Sequence, residues 1–254
     1  MRFACGGISR FIDQTGAGLA MLKMATDRVE NPRSCWPNQC EVLHLAQKTD
    51  ACTVLGLGRR AVLWVQGCPF RCPGCVAPET QPFRGGETVD VGTLADELNR
   101  VPDIEGLTFS GGEPFAQAAA LANLIDQIRN RRPDLSFMSY TGFTLEYLVE
   151  HGTNAQKTLL RQLDILIDGS YQADRHTNLR WRGSDNQRVH FLTDRYRHLE
   201  HDLLNDRGTW LEFVYHSSEQ GEPVGWWMGI PPQAFREAFE KKMQDSGIRW
   251  AVSS

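Results

Sequence analysis

The 254-residue chain has no apolar run near the roughly 20 residues that span a bilayer, which argues against a membrane-spanning segment. Its start carries no convincing signal peptide, because Arg10, Asp13 and Gln14 interrupt it before a long apolar core forms. Neither sign of charge dominates: 27 Lys and Arg against 31 Asp and Glu leave a net charge of −4. That balance argues against a broad electrostatic grip on nucleic acid. Internal repeats and low-complexity segments are missing. The Gly-rich Leu55-Gly56-Leu57-Gly58-Arg59-Arg60 has no Gly-Lys-Ser or Gly-Lys-Thr after it, which excludes a phosphate-cradling loop. What remains is ordinary for a globular protein, 41% hydrophobic and 23% charged, with length for one sizeable domain and a small appendage.

Seven cysteines are an odd number, and three of them are clustered, so a disulfide framework is not expected and a reducing cytoplasm fits. Cys68, Cys72 and Cys75 stand at C-x3-C-x2-C spacing just after the strand-like Ala61–Val65. Thiolates are soft ligands that suit iron–sulfur clusters. A four-iron cubane held by three cysteines keeps one iron open for another ligand, whereas structural zinc takes four closed ligands, often from paired C-x2-C knuckles. The spacing therefore favours a site-differentiated 4Fe-4S cluster. Cys35 and Cys40 form C-x4-C, with Cys5 and Cys52 outside it; free reduced thiols are the simpler reading of these four. His176 and His190 are not spaced as a metal pair.

From Glu41 onward, strand and helix patterns alternate. Strands are predicted over Val42–Ala46, Ala61–Gln66, Gly106–Ser110, Leu135–Tyr140 and Leu163–Ile167. Helices are predicted from Thr93 with Leu94, Leu98 and Val101 on one face, over Ala116–Asn130, over Thr144–Val149 and around Leu159-Leu160. This alternation predicts an α/β fold with a parallel sheet and right-handed crossovers. Functional groups in such sheets collect at the carboxyl ends of strands. The cysteine loop, Gly111-Gly112-Glu113-Pro114, the Tyr140-Thr141-Gly142 turn and Asp168 all fall there. Beyond them, Trp210–Tyr215 and Gly225–Gly229 read as a hairpin, and Pro231 opens a last helix with Phe235, Phe239 and Met243 on one face.

C-x3-C-x2-C followed by G-G-E-P at a strand end resembles the radical S-adenosylmethionine (radical SAM) superfamily, in its small activating-enzyme type. Gly74 in Cys-Pro-Gly-Cys and the stretch Trp181-Arg182-Gly183-Ser184-x-Asn186-Gln187-Arg188 resemble the activators of anaerobic ribonucleotide reductase. Gly56-Leu57-Gly58-Arg59-Arg60 is similar to a G-P-G-x-R of activating enzymes, with Leu57 in place of the proline. The resemblance implies a partial (β/α)6 barrel over residues 41–195, with an N-terminal extension over 1–40 and a C-terminal β/α appendage over 196–254.

It also implies the chemistry. The cluster on Cys68, Cys72 and Cys75 chelates S-adenosylmethionine and, on one-electron reduction, cleaves it to a 5′-deoxyadenosyl radical that takes hydrogen from a polypeptide. Gly111, Gly112, Glu113 and Pro114 would meet the methionine amino group, where glycines admit the backbone and a carboxylate suits an ammonium. Tyr140, Asp168, Asn186 and Arg188 are further candidate cofactor contacts; arginine pairs well with a carboxylate. Two substrates stay open: a glycyl radical enzyme, or a ribosomally made precursor peptide undergoing epimerisation, crosslinking or excision. Flavodoxin or ferredoxin is the implied electron donor.

Overall fold

The computed structural model describes residues 40–208, 210–217, 223–232 and 234–246. The N-terminal extension expected over 1–40, with Cys5 and Cys35, lies outside them apart from Cys40, which is exposed. A mixed seven-stranded sheet is built from β1 (Val42–Cys52), β2 (Arg60–Val65), β3 (Glu87–Asp90), β4 (Gly106–Gly111), β5 (Ser136–Tyr140), β6 (Ile165–Asp168) and β7 (Arg188–Phe191), in the order β3-β1-β2-β4-β5-β6-β7. The block β2-β4-β5-β6 is parallel, while β1, β3 and β7 pair antiparallel at the two edges. The sheet is thus largely parallel at its centre rather than throughout.

Alternate residues of each strand face opposite sides. Ala61, Leu63 and Val65 of β2 and Leu107 and Phe109 of β4 join one core cluster with α1 (Val91–Arg100), α2 (Ala118–Arg129), α3 (Leu145–His151) and α4 (Asn154–Gln162). Leu121, Leu124, Ile125 and Ile128 of α2 are fully buried there, each contributing about 1.5–3 kcal/mol. On the other face Met138, Ile165 and Ile167 pack with Trp181 and with Leu203 of α5 (Glu200–Asn205).

The helices begin where capping chemistry dictates. Asp90 rather than Thr93 caps α1, its carboxylate accepting from the Thr93 N–H at 2.8 Å, so the helix starts at Val91. Thr144 caps α3, and Thr153 with Gln156 forms a capping box on α4. Pro114–Gln117 forms a 3-10 turn, which delays α2 to Ala118. Among the described residues no helix is long and apolar enough to cross a membrane.

Arg60, the last residue of the Gly-rich turn, is buried, and its guanidinium makes five hydrogen bonds to uncharged acceptors: Thr108 Oγ1, Leu57 O, Leu107 O, and Ser136 Oγ and O. It ties the starts of β2, β4 and β5 together from within. At the other end of the chain, β8 (Leu211–Ser217) and β9 (Pro223–Gly229) form the expected hairpin, followed by α6 (Phe235–Asp245). Met228 points into a cluster with Cys52, Leu55, Val62 and Trp64, and the Glu212 carboxylate accepts from Thr53 N at 2.8 Å. On the opposite side Trp227 meets Phe235 of α6 edge to face.

Candidate functional site

The loop after β2 is closed on itself before it presents any cysteine. The Gln66 side chain donates to Glu79 O and Pro82 O, Gly67 N donates to Thr80 O at 2.7 Å, and Cys68 N donates to Gln81 O at 2.9 Å. Gly112 anchors the loop from the neighbouring strand: its N–H donates to Val65 O and the next N–H, of Glu113, to Gly67 O at 2.9 Å. A Cβ on Gly112 would lie 2.3 Å from Gly67 O, so only glycine permits this approach. A Cβ on Gly142 would stand 2.5 Å from the Phe70 ring, which would have to turn aside. Phe70 in turn meets Phe143 edge to face at 4.9 Å. The loop is therefore fastened to the exits of both β4 and β5.

Cys68, Cys72 and Cys75 line one cavity open to solvent, together with Gly111, Gly112, Glu113, Tyr140 and Gln187. Burial, then the nearby Glu113 charge, pushes the Cys68 thiol up to about 12. Burial, then Cys75, raises Cys72. Thiolates bind metal and thiols do not, so cluster loading would release protons here. In a cubane each of these thiolates would go to a separate iron, which three cysteines spread along one cavity suit.

Glu113 is 1% exposed. Oε1 accepts from Phe115 N at 2.8 Å and Thr141 Oγ1 at 2.9 Å, and Oε2 from Gly142 N at 2.8 Å. Burial raises its carboxyl to about 7 in spite of these donors. The carboxylate therefore joins the β4 and β5 exits while reaching the cavity. Tyr140 lines the cavity with a buried hydroxyl that has no partner, and burial pushes its phenol up.

Asp168, Asn186 and Arg188 do not line the cavity; they brace its rim. Asp168 accepts from Leu145 N at 2.7 Å and from Arg188 Nε at 3.1 Å, and His190 Nε2 stands 3.1 Å away. Burial raises its carboxyl, but hydrogen bonds from His190, Arg188 and Leu145 outweigh that and hold it at about 2. Arg188 also forks onto both Glu146 oxygens, at 2.8 and 2.7 Å. Asn186 donates to Ser170 O at 2.8 Å. Sequence reading passed over Gln187, which lines the cavity and accepts from Gly183 N while donating to Gly169 O. It sits inside the motif already singled out, but nothing local separates its role from that of Asn186.

Comparison with known proteins places the chain among iron–sulfur relatives. The family model described as a 4Fe-4S single cluster domain matches residues 54–190. The chain is 33% identical over 145 residues to the anaerobic ribonucleoside-triphosphate reductase-activating protein of Enterobacteria phage T4, covering 56% of this chain and 89% of that protein. It is 33% identical over 147 residues to the protein of that name from Vibrio cholerae, covering 55% and 92%. For Escherichia coli K12 the figures are 31% over 146 residues, 55% and 92%.

Proposed function

We infer, since the chain belongs to the 4Fe-4S single cluster domain family and is a radical SAM enzyme of the activating type, that it activates an anaerobic ribonucleotide reductase by taking hydrogen from a glycine of that partner. In this reading Cys68, Cys72 and Cys75 hold a 4Fe-4S cluster, and the cluster with S-adenosylmethionine supplies, on one-electron reduction, the 5′-deoxyadenosyl radical. Flavodoxin or ferredoxin delivers the electron. The central parallel strands belong to a partial (β/α)6 barrel, residues 41–195 are its core, and 196–254 are an appendage.

The observation that carries the reading is the meeting of the three cysteines with the Gly111-Gly112-Glu113 turn around one cavity. Gly111 and Gly112 bring backbone to the cavity, Pro114 starts the turn that directs α2 away, and Glu113 holds the β4 and β5 exits at fixed spacing. Tyr140 offers a hydroxyl donor from the β5 exit. Asp168, Asn186 and Arg188 position the β6 exit, so that Gly169, Ser170 and Tyr171 form the remaining wall.

Anaerobic reconstitution with iron and sulfide, followed by S-adenosylmethionine and a strong reductant, tests this. The expected result is four irons per chain and formation of 5′-deoxyadenosine, both lost in Cys72→Ala. Wild-type deoxyadenosine production by Cys72→Ala would overturn the assignment.

A further inference from the structure

We propose that Tyr171 is an aromatic wall for the cofactor's base: residues 183–187 hold its ring at the cavity, where the adenine of S-adenosylmethionine stacks on it. In the radical SAM reading above, on which this rests, the cysteines hold the cluster and the base has no assigned partner. Tyr171 follows β6 in Asp168-Gly169-Ser170-Tyr171 and lines the same cavity as Cys72 and Cys75.

The aromatic rings along the cavity are those of Trp64, Phe70, Tyr140 and Tyr171. Trp64 is buried in a core cluster with Cys52, Leu55 and Met228, and Tyr140 packs against that cluster and against the one around Ile165 and Ile167. Phe70 is taken up by Phe143, which meets it edge to face. Tyr171 is in none of the core clusters of the described residues and is only partly buried. A Cβ on Gly74 would lie 3.6 Å from its Cε1, and one on Gly183 would lie 3.0 and 3.2 Å from its Cδ2 and Cε2. Two glycines thus meet the ring from opposite sides and add no side chain that could cover it. The hydroxyl is held by His176, 3.1 Å away at Nδ1, and the two rings meet edge to face at 6.0 Å. With its hydroxyl and its sides held, the ring offers the cavity aromatic surface rather than a polar group. Of the two groups assigned to the site, the cluster takes the thiolates, and adenine is the planar one that stacks on an aromatic ring.

The backbone that carries the ring is fastened on both sides of it. Before Tyr171, Gln187 Nε2 donates to Gly169 O at 2.9 Å and Asn186 Nδ2 to Ser170 O at 2.8 Å. After it, Gln172 N donates to the fully buried Ser184 Oγ at 3.1 Å. Gln187 Oε1 accepts from Gly183 N at 2.8 Å, which fixes the glycine that faces the ring. Each polar residue of Gly183-Ser184-x-Asn186-Gln187 therefore supplies a bond to the Tyr171 loop, and Gly183 leaves room for the ring. That stretch lies away from the cysteines in sequence, and its work here is to position Tyr171.

Equilibrium dialysis of S-adenosylmethionine against the reconstituted enzyme, without reductant so that no turnover occurs, tests this. Tyr171→Leu removes the ring and is expected to weaken binding at least about fivefold, with four irons per chain retained. Tyr171→Phe keeps the ring and is expected to bind as the wild type does. Binding by Tyr171→Leu within about twofold of wild type would overturn the wall. An equal loss in Tyr171→Phe would overturn it too, since the hydroxyl rather than the ring would then carry the effect. Should Tyr171→Leu not fold or not take up four irons, photolabelling of the wild type with the 8-azidoadenosyl analogue of S-adenosylmethionine decides. Label within residues 162–175 is expected, and label confined to other segments overturns the assignment. A wild-type enzyme that takes up four irons but does not bind S-adenosylmethionine removes the radical SAM reading and the wall with it. One that binds it equally well as Tyr171→Leu removes only the wall.

Discussion

The Gly112→Ala substitution probes the junction on which the site depends. The new Cβ would stand 2.3 Å from Gly67 O, 2.7 Å from Gly67 C and 2.9 Å from Thr80 O, more than 1 Å short of ordinary contact at the closest point. All three atoms are backbone, so no side-chain rotation relieves the overlap. The cysteine loop must move about 1 Å from the β4 exit, which breaks Glu113 N to Gly67 O and Gly112 N to Val65 O. Two such bonds are worth about 0.5–1.5 kcal/mol each, and overpacking adds about 1–3 kcal/mol. A loss of about 3 kcal/mol is therefore expected in urea denaturation of the metal-free protein, together with fewer than four irons per chain after reconstitution. Gly92→Ala in α1 is the control: its nearest neighbour is the Asp90 carboxylate at 3.3 Å, and alanine favours a helix, so its stability should stay within about 0.5 kcal/mol of wild type. Full iron loading and unchanged stability in Gly112→Ala would refute the reasoning.

Two predictions concern pH, with opposite signs, both for the metal-free protein. The folded carboxyl of Glu113 is raised to about 7, so its contribution is complete below about pH 4 and is lost as pH rises through about 7. The size is about 3 kcal/mol, and Glu113→Gln should flatten stability measured between pH 4 and 8. Asp168 is held at about 2, so its contribution, about 2 kcal/mol, is present above pH 4 and disappears as pH falls toward 2. Asp168→Asn should remove that acid-side slope in denaturation curves; an unaltered slope would show that the Arg188 and His190 contacts do not set it.

The central strands, the helices on one face and the C-terminal hairpin were legible because each carries its own periodicity. The edges of the sheet were not. Glu87-Thr88-Val89-Asp90 of β3 is almost wholly exposed, and β7 is four residues with Val189 and Phe191 as its buried pair; neither offers a long apolar pattern. The cysteine loop and the G-G-E-P turn were legible as strand-end loops from local spacing, since the three cysteines lie within eight residues of one another. The work of Glu113 was not, because Thr141 and Gly142 reach it across 28 and 29 residues. Asp168 looked like a rim residue open to a ligand, but Arg188, 20 residues on, and Leu145, 23 residues back, claim its oxygens.

In the proposed reaction hydrogen is taken from a glycine of a partner polypeptide. The direct measurement is electron paramagnetic resonance on the reconstituted enzyme incubated anaerobically with S-adenosylmethionine, reductant and the host's anaerobic ribonucleotide reductase, with 5′-deoxyadenosine quantified in the same sample. A glycyl radical doublet on the reductase is expected, with deoxyadenosine formed in proportion to it. Deoxyadenosine without a radical on the reductase, alongside a mass change in a short peptide, would contradict the activase assignment in favour of peptide modification.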